Sequence, residues 1–456
     1  MRTKLACTIG PASGDQKQIR SIMDVGCSIF RINLSHGVMD HWNMWASSVR
    51  EAAAERGGDA LIITDLKGPS VRLGGLPNPK PVRSGERLRI ALKGVAGDGA
   101  PSVDSGEFFK TVSVGDVLVT DDGRGLMEVY ECGGEGVAVK ALTDMVLSSG
   151  KSLVVRGKET PITDYLAYNR DQLEAALSLS ADFIGLSFVR TAADVEAVRR
   201  YLPAGQGPGL ISKVETPSAV ANVEEIAEVS DAVLVARGDL GMHFPLETVP
   251  RLQRKIIESS LNAGRPVIVA TQLLGSMMSE PIPSRSEVVD IMSCVEHGVD
   301  VLMLTGETAV GRYPVEAVRW LRKVVETYED GVQIDRSSLK AGLLDRFALG
   351  VVELAEVLGA KIGVYTKAGN VARRISRYKP RSMVFAGSGD RATVKMLMLL
   401  WGVTPLHVDA TDYGDGLDVL MEKLRHGCLV EAEDTLVLTY GLSQEPVHII
   451  RIVKVG

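Results

Sequence analysis

Several charged and hydroxyl side chains stand at the ends of short apolar segments, where a strand would give way to a loop. Lys213 and Glu215 are separated by one residue, so in an extended segment the ammonium and the carboxylate share a face. A second carboxylate, Asp239, follows the next apolar segment. Paired carboxylates suit a hard divalent ion such as Mg²⁺ or Mn²⁺, which prefers oxygen ligands. The two acids therefore predict a divalent-metal site.

Cationic and hydroxyl groups complete the same set. Arg31, Lys67 and Lys213 would offset negative charge on a transferring phosphoryl group or on a developing enolate. Gly238, at a predicted strand-to-helix turn, leaves backbone N–H groups free to hold a carboxylate. Thr271 ends another apolar segment in the same way. If the segments end at one place, these side chains share a pocket.

Each of these features alone has an ordinary explanation. A Lys-x-Glu pair is usually a solvated surface pair, and an Arg-Gly-Asp sequence, as at 237–239, is usually a turn. The set is more informative because nearly every predicted strand end carries a charged or hydroxyl group in the same relative place. In barrel enzymes, that end of the strands carries the active site.

The elements that would position these groups are short apolar segments rich in β-branched residues, most of them followed by a helical pattern. Strands that are apolar on both faces belong in a parallel sheet covered by helices, and eight of them favour a closed (β/α)₈ TIM barrel. The predicted strands are 5–9, 28–32, 61–64, 183–188, 210–214, 232–236, 267–270 and 301–304.

Two further domains are predicted around this barrel. Between residues 72 and 158 the helical pattern disappears and short alternating segments stand between glycine-rich turns, which indicates a small inserted β-barrel. It follows the third barrel strand, on the active-site face, so we expect it to act as a lid. A second strand–helix alternation predicts a doubly wound α/β domain at the C-terminus. The predicted domains are 1–72 with 159–333 (barrel), 73–158 (insertion) and 334–456 (C-terminal domain).

Composition indicates a cytoplasmic enzyme. Hydrophobic residues make up 45% of the chain and charged residues 24%, which is ordinary for a globular protein. The net charge of −6 gives no footprint for nucleic acid, and no polybasic segment suggests a membrane surface. The 5 cysteines are scattered without a CxxC pair, which predicts reduced thiols rather than disulfides or a zinc site. No segment has the length of a membrane span or the pattern of a secretory signal.

In order along the chain, the strand-end sequences resemble the pyruvate kinase family. The resemblance covers nearly the whole chain and is weakest between residues 73 and 158. The motifs that carry it are TIGPAS at 8–13, RINLSHG at 31–37, DLKGPSVR at 65–72, SFVR at 187–190, ISKVE at 211–215, VARGDLG at 235–241, ATQ at 270–272, PSRSE at 283–287, MLTGETA at 303–309 and YTKAGNVARRISR at 365–377.

The resemblance implies transfer of a phosphoryl group from phosphoenolpyruvate to ADP, the ATP-forming step of glycolysis, with Mg²⁺ or Mn²⁺. Lys213 would contact the phosphoryl group and steady the enolate, and Glu215 and Asp239 would hold the metal ion. Thr271 would lie beside the substrate carboxylate and help to deliver the proton that completes pyruvate.

The resemblance also implies roles for other residues of the pocket. Arg31 would be a catalytic and substrate-binding residue, and Gly238 would bind the substrate together with Lys213, Asp239 and Thr271. The nucleotide would face Asn33, His36 and Arg72.

A monovalent-cation site is implied as well, with K⁺ held by Asn33, Ser35, Asp65 and the backbone carbonyl of Leu66. Two positions depart from the family's usual motif, because Leu66 replaces a threonine and Ser70 replaces a glutamate. Potassium dependence therefore stays open.

The C-terminal domain carries a weaker signal. Thr366, Lys367, Gly369 and Asn370 resemble the loop that holds phosphate effectors in the family, although Ala368 lacks the expected hydroxyl. The resemblance further implies a homotetramer assembled through the barrel and C-terminal domains.

Two alternatives stay open. One is another Mg²⁺-dependent barrel acting on pyruvate or phosphoenolpyruvate, such as an aldolase or lyase, but the lid and the extra C-terminal domain count against it. The other is a catalytically silent regulatory paralogue that binds a phosphorylated metabolite. The presence of Lys213, Glu215, Asp239 and Thr271 argues against it, while the altered Leu66 region keeps it open.

Overall fold

The computed structural model describes residues 1–162, 164–203, 205, 207–332, 334–410, 412–441 and 448–456. The predicted domain boundary at residue 333 lies outside these ranges. The strands of the described chain, numbered in order, are β1 Lys4–Ile9, β2 Ile29–Asn33, β3 Leu61–Asp65, β4 Lys80–Val82, β5 Arg87–Leu92, β6 Ser102–Val103, β7 Val117–Thr120, β8 Gly125–Gly133, β9 Gly136–Ala141, β10 Met145–Leu147, β11 Leu153–Val155, β12 Phe183–Leu186, β13 Gly209–Val214, β14 Ala232–Ala236, β15 Val267–Ala270, β16 Val301–Leu304, β17 Lys361–Tyr365, β18 Val384–Ser388, β19 Val403–His407, β20 Thr435–Gly441 and β21 His448–Lys454.

Helices follow most of these strands. Within the described ranges, none is both long enough and apolar enough to cross a membrane. They are α1 Gln16–Asp24, α2 Met39–Glu55, α3 Gly106–Thr111, α4 Tyr165–Ser178, α5 Ala192–Tyr201, α6 Pro217–Ala221, α7 Val223–Val229, α8 Arg237–His243, α9 Val249–Asn262, α10 Arg285–Glu296, α11 Gly306–Ala309, α12 Pro314–Tyr328, α13 Leu343–Val357, α14 Asn370–Arg377, α15 Arg391–Leu397 and α16 Tyr413–His426.

Eight parallel strands close into a barrel in the order β1-β16-β15-β14-β13-β12-β3-β2. All eight correspond to predicted strands, so the predicted closed (β/α)₈ barrel is confirmed. Alternate side chains, such as Ile63 and Ile211, pack together within the barrel, while Ile62 and Leu210 pack towards the surrounding helices. Burial of both faces explains why the sequence shows continuous apolar runs instead of alternation.

The inserted domain consists of a six-stranded sheet, β11-β7-β8-β9-β5-β6, and a two-stranded sheet, β10-β4, around one apolar core. The expected small barrel is therefore only partly closed by hydrogen bonds within the described residues. The ribbon of β4 and β10 is short, and Pro81 in β4 has no N–H to donate. Backbone pairing of this domain begins at Val71, whose carbonyl accepts the N–H of Leu153 at 2.9 Å.

The inserted domain rests on the barrel through the tight turn Asp121–Gly123. A Cβ atom at Gly123 would lie 2.8 Å from the carbonyl oxygen of Gly241 in α8, and the φ of Gly123 is +93°. Both conditions require glycine. An ion pair between Lys151 and Asp121 holds the turn. The inserted domain thus contacts the helix that follows β14 on the active-site face.

The C-terminal domain is a five-stranded sheet in the order β19-β18-β17-β20-β21, with β21 antiparallel to β20 and the other pairs parallel. The predicted doubly wound α/β domain is confirmed. Its first helix, α13, begins at Leu343. A helix cap fixes this start, because the Gly342 N–H donates to the Asp345 carboxylate at 3.1 Å.

A buried ion pair joins the base of the barrel, where the strands begin, to the C-terminal domain. Lys379 Nζ lies 2.7 Å from Asp300 Oδ1, and both side chains are almost fully buried. The Asp300 carboxylate also accepts the backbone N–H groups of Trp401 and Val267, each at 3.0 Å. Burial lowers the pKa of Lys379, and Asp300 opposes that change. We call this contact between the base of the barrel and the C-terminal domain, centred on Asp300 and Lys379, the seam.

Replacing Lys379 with methionine should destabilise the protein, because the Asp300 carboxylate would stay buried without its counter-charge. Removing one partner of a buried pair typically costs about 3–5 kcal/mol, whereas an exposed pair contributes about 0–1 kcal/mol. The matched control is Lys454→Met, whose pair with Glu433 is exposed. We expect a clearly lower urea midpoint for Lys379→Met than for the control, and equal midpoints would contradict this role of the seam.

Candidate active site

The carboxyl ends of β2, β3, β12 and β13 bring four polar side chains together in the barrel mouth, the end where the strands stop. Asp65 Oδ2 accepts hydrogen bonds from Arg31 Nε at 3.1 Å and from Lys213 Nζ at 3.3 Å. Arg31 Nη2 also contacts the same oxygen. Lys213 Nζ donates to Ser187 Oγ at 2.8 Å. The four strand ends therefore converge as predicted for a barrel active site.

Charge compensation in the mouth keeps Lys213 protonated. Burial alone would raise the pKa of Asp65, but the charges of Arg31 and Lys213 outweigh it and hold that pKa below its usual value. Burial alone would lower the pKa of Lys213, but Asp65 and Glu215 outweigh it and raise that pKa. The lysine therefore carries a positive charge although it is buried.

Glu215 and Asp239 have the character expected of metal ligands. Glu215 Oε1 accepts the N–H of Phe188 at 2.7 Å, while Oε2 accepts no hydrogen bond, although Lys213 Nζ lies 3.3 Å away. Burial raises the pKa of Glu215 to about 8 despite Lys213, and nearby Asp239 raises it further. Burial also raises the pKa of Asp239. A divalent cation would offset the buried negative charge of both carboxylates and would stabilise their ionised forms.

A site with only two protein carboxylates suits Mg²⁺ or Mn²⁺, which can take water and substrate oxygens as further ligands. It suits a metal ion bound entirely by protein side chains less well. No group of three or more His, Cys, Asp or Glu side chains forms a ligand set in the part of the chain that the structure describes. Mg²⁺ is commonly bound by one or two carboxylates, with water and substrate oxygens as its other ligands. The residues present therefore fit an open magnesium site.

Thr271 is held in an uncommon backbone conformation beside these acids. Its φ is +69°, in the left-handed region, and Arg237 stabilises it by donating to its carbonyl oxygen at 2.8 and 3.1 Å. Arg237 is anchored by Asp290 at 2.6 Å. The Gly238 N–H, which was expected to be free, donates to Thr271 Oγ1 at 2.9 Å, while the assignment of Gly238 to the substrate stays a prediction. The turn instead positions the threonine hydroxyl.

Comparison with known proteins assigns the family. A family model for the barrel domain of pyruvate kinase matches residues 1–318, and one for the alpha/beta domain of pyruvate kinase matches residues 345–453. The chain belongs to the pyruvate kinase family. The pyruvate kinase of Aeropyrum pernix is 36% identical to this chain over 454 residues, which cover 98% of each.

Solved structures agree with this assignment. The crystal structure of pyruvate kinase from Pyrobaculum aerophilum matches with a TM-score of 0.87 and 35% identity, covering 99% of each chain. A pyruvate kinase from Cryptosporidium parvum matches with a TM-score of 0.88 and 29% identity, covering 100% of this chain and 96% of that one. The chain is therefore a phosphotransferase of the pyruvate kinase family, which removes the lyase and aldolase alternative.

Two of the residues that the family resemblance assigns to the nucleotide, His36 and Arg72, lie near each other. Burial lowers the pKa of His36, and the nearby charges of Arg72, Arg31 and Lys67 lower it further. Arg72 Nη1 donates to the carbonyl oxygen of Gly150 in the inserted domain at 2.7 Å. The assignment of Asn33, His36 and Arg72 to the nucleotide stays a prediction.

Several of the implied K⁺ ligands already accept hydrogen bonds within the protein. The Leu66 carbonyl accepts Ser187 Oγ at 2.6 Å, and Asn33 Oδ1 accepts the Ser35 N–H at 3.0 Å. Asp65 Oδ2 is paired with two cationic side chains, as described above. The assignment of these residues to K⁺ stays a prediction from the family resemblance.

The implied effector residues lie in the C-terminal domain, away from the mouth. Thr366 is buried, and the Lys367 carbonyl accepts Thr393 Oγ1 at 3.0 Å. Gly369 has a φ of +74° and precedes α14, which begins at Asn370. The neighbouring cavity is lined by Tyr365, Lys367, Ser388, Gly389, Asp390, Asp409, Ala410 and Asp415. The three carboxylates in this lining disfavour a phosphate effector.

Sequence reasoning missed two supporting roles. Asp65 was assigned only to K⁺, yet it bonds to Arg31 and Lys213. Arg237 was noted only as part of a turn, yet it is 7% exposed and fixes the carbonyl of Thr271. A charged residue at the carboxyl end of a largely apolar strand was the available signal in both places.

Replacing Asp65 with asparagine should lower kcat by about 10–100-fold, the range typical for groups that orient an active-site residue. Asparagine keeps the shape but removes the charge that raises the pKa of Lys213. The lysine should then lose its proton at lower pH, so the alkaline limb of the kcat profile should move to lower pH. The control is Asp144→Asn, whose pair with Arg83 at 3.0 Å is exposed. An unmoved alkaline limb in Asp65→Asn would rule out this role.

Proposed function

We propose that the barrel mouth transfers the phosphoryl group of phosphoenolpyruvate to ADP and releases pyruvate and ATP. The observation that carries the proposal is the buried Lys213, held by Asp65, Ser187 and Glu215 at the centre of the mouth. A fixed cation in a water-poor site stabilises charge that moves from a phosphoryl group to an enolate. Positioning and charge can therefore perform this transfer without a covalent intermediate.

Lys213 and Arg31 would act on the phosphoryl group together. Both point at Asp65, so their positive ends are fixed a short distance apart before substrate binds. Pre-oriented cations need no rearrangement when charge develops, which is why they favour the transition state over the ground state. As the bond to the enolate oxygen breaks, Lys213 would neutralise that oxygen.

Thr271 would serve the protonation step that turns enolpyruvate into pyruvate. Its Oγ1 accepts the Gly238 N–H, so its own hydroxyl hydrogen is directed away from the backbone and is available to a substrate group. We place the substrate carboxylate beside Thr271 and Gly238, with the proton reaching the methylene carbon from the same side.

Glu215 and Asp239 would hold the divalent ion, Mg²⁺ or Mn²⁺. When bound, that ion supplies polarisation of substrate oxygens. Glu215 Oε2, which accepts no hydrogen bond, is the oxygen we assign to it. K⁺ as an additional activator stays a prediction from the family resemblance.

The inserted domain would close the mouth during turnover. Its turn Asp121–Gly123 touches α8, the helix that carries Gly238 and Asp239. Burial and the charge of Asp239 raise the pKa of Asp122 in this turn, which reflects how near it lies to the active site. Exclusion of water would protect the phosphoryl group from hydrolysis. We retain 73–158 as the extent of this lid, between the two barrel segments.

A homotetramer remains our proposal for the assembly. The edge strand β21 presents the partly exposed side chains Ile449, Ile450 and Ile452, and exposed apolar edges favour pairing with another chain. On the barrel, Ile282 and Val289 are also exposed. These surfaces support contacts between copies through both domains.

Steady-state ATP formation from phosphoenolpyruvate and ADP with Mg²⁺ tests the function. Wild-type protein should turn over, and Lys213→Met should lower kcat by about 10³-fold or more, because one preorganised charged group is typically worth about 10²–10³-fold and this lysine contacts both reacting groups. Lys454→Met, which removes an exposed lysine, should retain wild-type turnover.

The same assay run in K⁺ and in Na⁺ separates the alternatives. Similar turnover in both ions would show that the bonded oxygens of the mouth do not require K⁺. No turnover by folded wild-type protein in either ion would favour the silent regulatory paralogue.

Replacing Glu215 with glutamine should weaken Mn²⁺ binding by about 10–100-fold, measured by calorimetric titration of the free protein, because one of two ligand carboxylates loses its charge. The metal-free variant should be at least as stable as wild type, since burial disfavours the charged Glu215. Glu433→Gln, at an exposed site, is the control. Unchanged Mn²⁺ affinity in Glu215→Gln would exclude this carboxylate as a ligand.

A further inference from the structure

The seam contains a group of arginines that the proposed reaction does not use. Arg265 immediately precedes β15 at the base of the barrel, and Arg373 and Arg377 lie on α14 of the C-terminal domain. They line one small enclosed cavity, which has room for about one water-sized group. Its other lining residues are Leu261, Gly264, Pro266, Asp300, Ser376, Lys379 and Leu400.

The carboxylates near this cavity are already committed. Asp300 is saturated by Lys379 and two backbone N–H groups. Asp345 Oδ1 is shared between Arg374 Nε at 3.3 Å and Arg377 Nη1 at 3.4 Å. Asp231 lies near both Arg265 and Arg373 but is paired with Arg199 at 2.9 Å, and the exposed Glu228 lies near Arg265. None of these acids forms an ion pair with Arg265 or Arg373 within the described residues.

Arg265 and Arg373 have no carboxylate partner among the residues that the structure describes. Arg265 Nη2 donates to the carbonyl oxygen of Glu228 at 2.6 Å, and Arg373 Nη2 donates to Asn370 Oδ1 at 3.1 Å. Both acceptors are neutral groups. Two guanidinium groups thus lie near each other across the seam, and neither is in direct contact with a carboxylate among the described residues.

Two of these arginines also have a buried Nε group without a hydrogen-bond acceptor. Arg377 is 5% exposed, and its Nε has no hydrogen-bond partner. The Nε of Arg265 is also buried without a partner. Burial lowers the pKa of Arg373 to about 10, and neighbouring Arg265 contributes. Buried donors without acceptors are costly, so such a cluster is stable when a ligand completes it.

We propose that Arg265, Arg373 and Arg377 form a binding site for a phosphate group at the seam, separate from the active site. The planar guanidinium fork matches the paired oxygens of a phosphate, which a point charge does not. One phosphate oxygen fills the enclosed cavity beside Arg377, and the others face Arg265 and Arg373, which are only partly buried.

The position of this site gives it a mechanical role. Arg265 belongs to the barrel, and Arg373 and Arg377 belong to the C-terminal domain, so one bound phosphate bonds to both domains at once. The site lies at the amino ends of the barrel strands, whereas the active site lies at their carboxyl ends. Occupancy therefore stiffens the contact between the domains without touching the reacting groups, which suits a regulatory anion.

Thermal unfolding with and without inorganic phosphate tests the site, with sodium chloride at matched ionic strength as the reference. The wild-type midpoint should rise by about 2–5 °C at saturating phosphate, because a ligand that binds only the folded state stabilises it. Arg265→Gln and Arg373→Gln should lose most of this shift. Arg425→Gln, which removes an exposed charge on α16, should keep it.

Lys213→Met should also keep the shift, which separates the seam from phosphate bound in the active site. Arg373→Lys retains the charge but not the fork, so its shift should be intermediate. Glycerol 2-phosphate, tested in parallel, distinguishes a phosphomonoester from free phosphate as the better ligand, since the better one gives the larger shift at equal concentration.

The midpoint without phosphate separates a binding role from a structural one. Arg373→Gln should unfold at the wild-type temperature or above it, because it removes a guanidinium group that is disfavoured by burial and by neighbouring Arg265. A lower midpoint with an undiminished phosphate shift would make Arg373 structural and overturn the proposal. An absent shift in wild type, or equal shifts in all variants, would overturn it too. Unfolding is measured here and not turnover, so this result is independent of the proposed reaction.

Discussion

The buried carboxylate of Asp65 is the constraint on which the barrel mouth depends. Two cations, Arg31 and Lys213, meet at one of its oxygens, and without that negative charge they would repel each other in a poorly solvated site. The other oxygen packs against Gly185, where a Cβ atom would lie only 2.4 Å away. Pairing of β3 with β12 sets Asp65 opposite this glycine. The pairing register of β3 and β12 therefore determines where the Asp65 charge lies in the active site.

Much of this arrangement is predictable from sequence because it follows from burial and periodicity. Strands buried on both faces appear as apolar runs, and polar residues at their ends mark the mouth, which is how Lys213, Glu215 and Asp239 were found together. The pairing of Asp65 with Lys213 could not be predicted in this way, because 148 residues separate them. Their contact depends on barrel closure, which no local pattern encodes.

Features that depend on single hydrogen bonds were predicted less well. The start of α13 is set by the cap between Asp345 and the Gly342 N–H, and the Gly238 N–H, expected to be free, donates to Thr271. In each case one hydrogen bond determines the local backbone structure, and the residue types alone do not predict which partner forms it.

The inserted domain meets α8 at a close backbone contact, where Gly123 faces the carbonyl oxygen of Gly241. Any side chain at residue 123 would collide with that oxygen and would also be strained by the positive φ. A single hydrogen atom in place of a Cβ therefore sets how closely the inserted domain approaches the helix that carries Gly238 and Asp239.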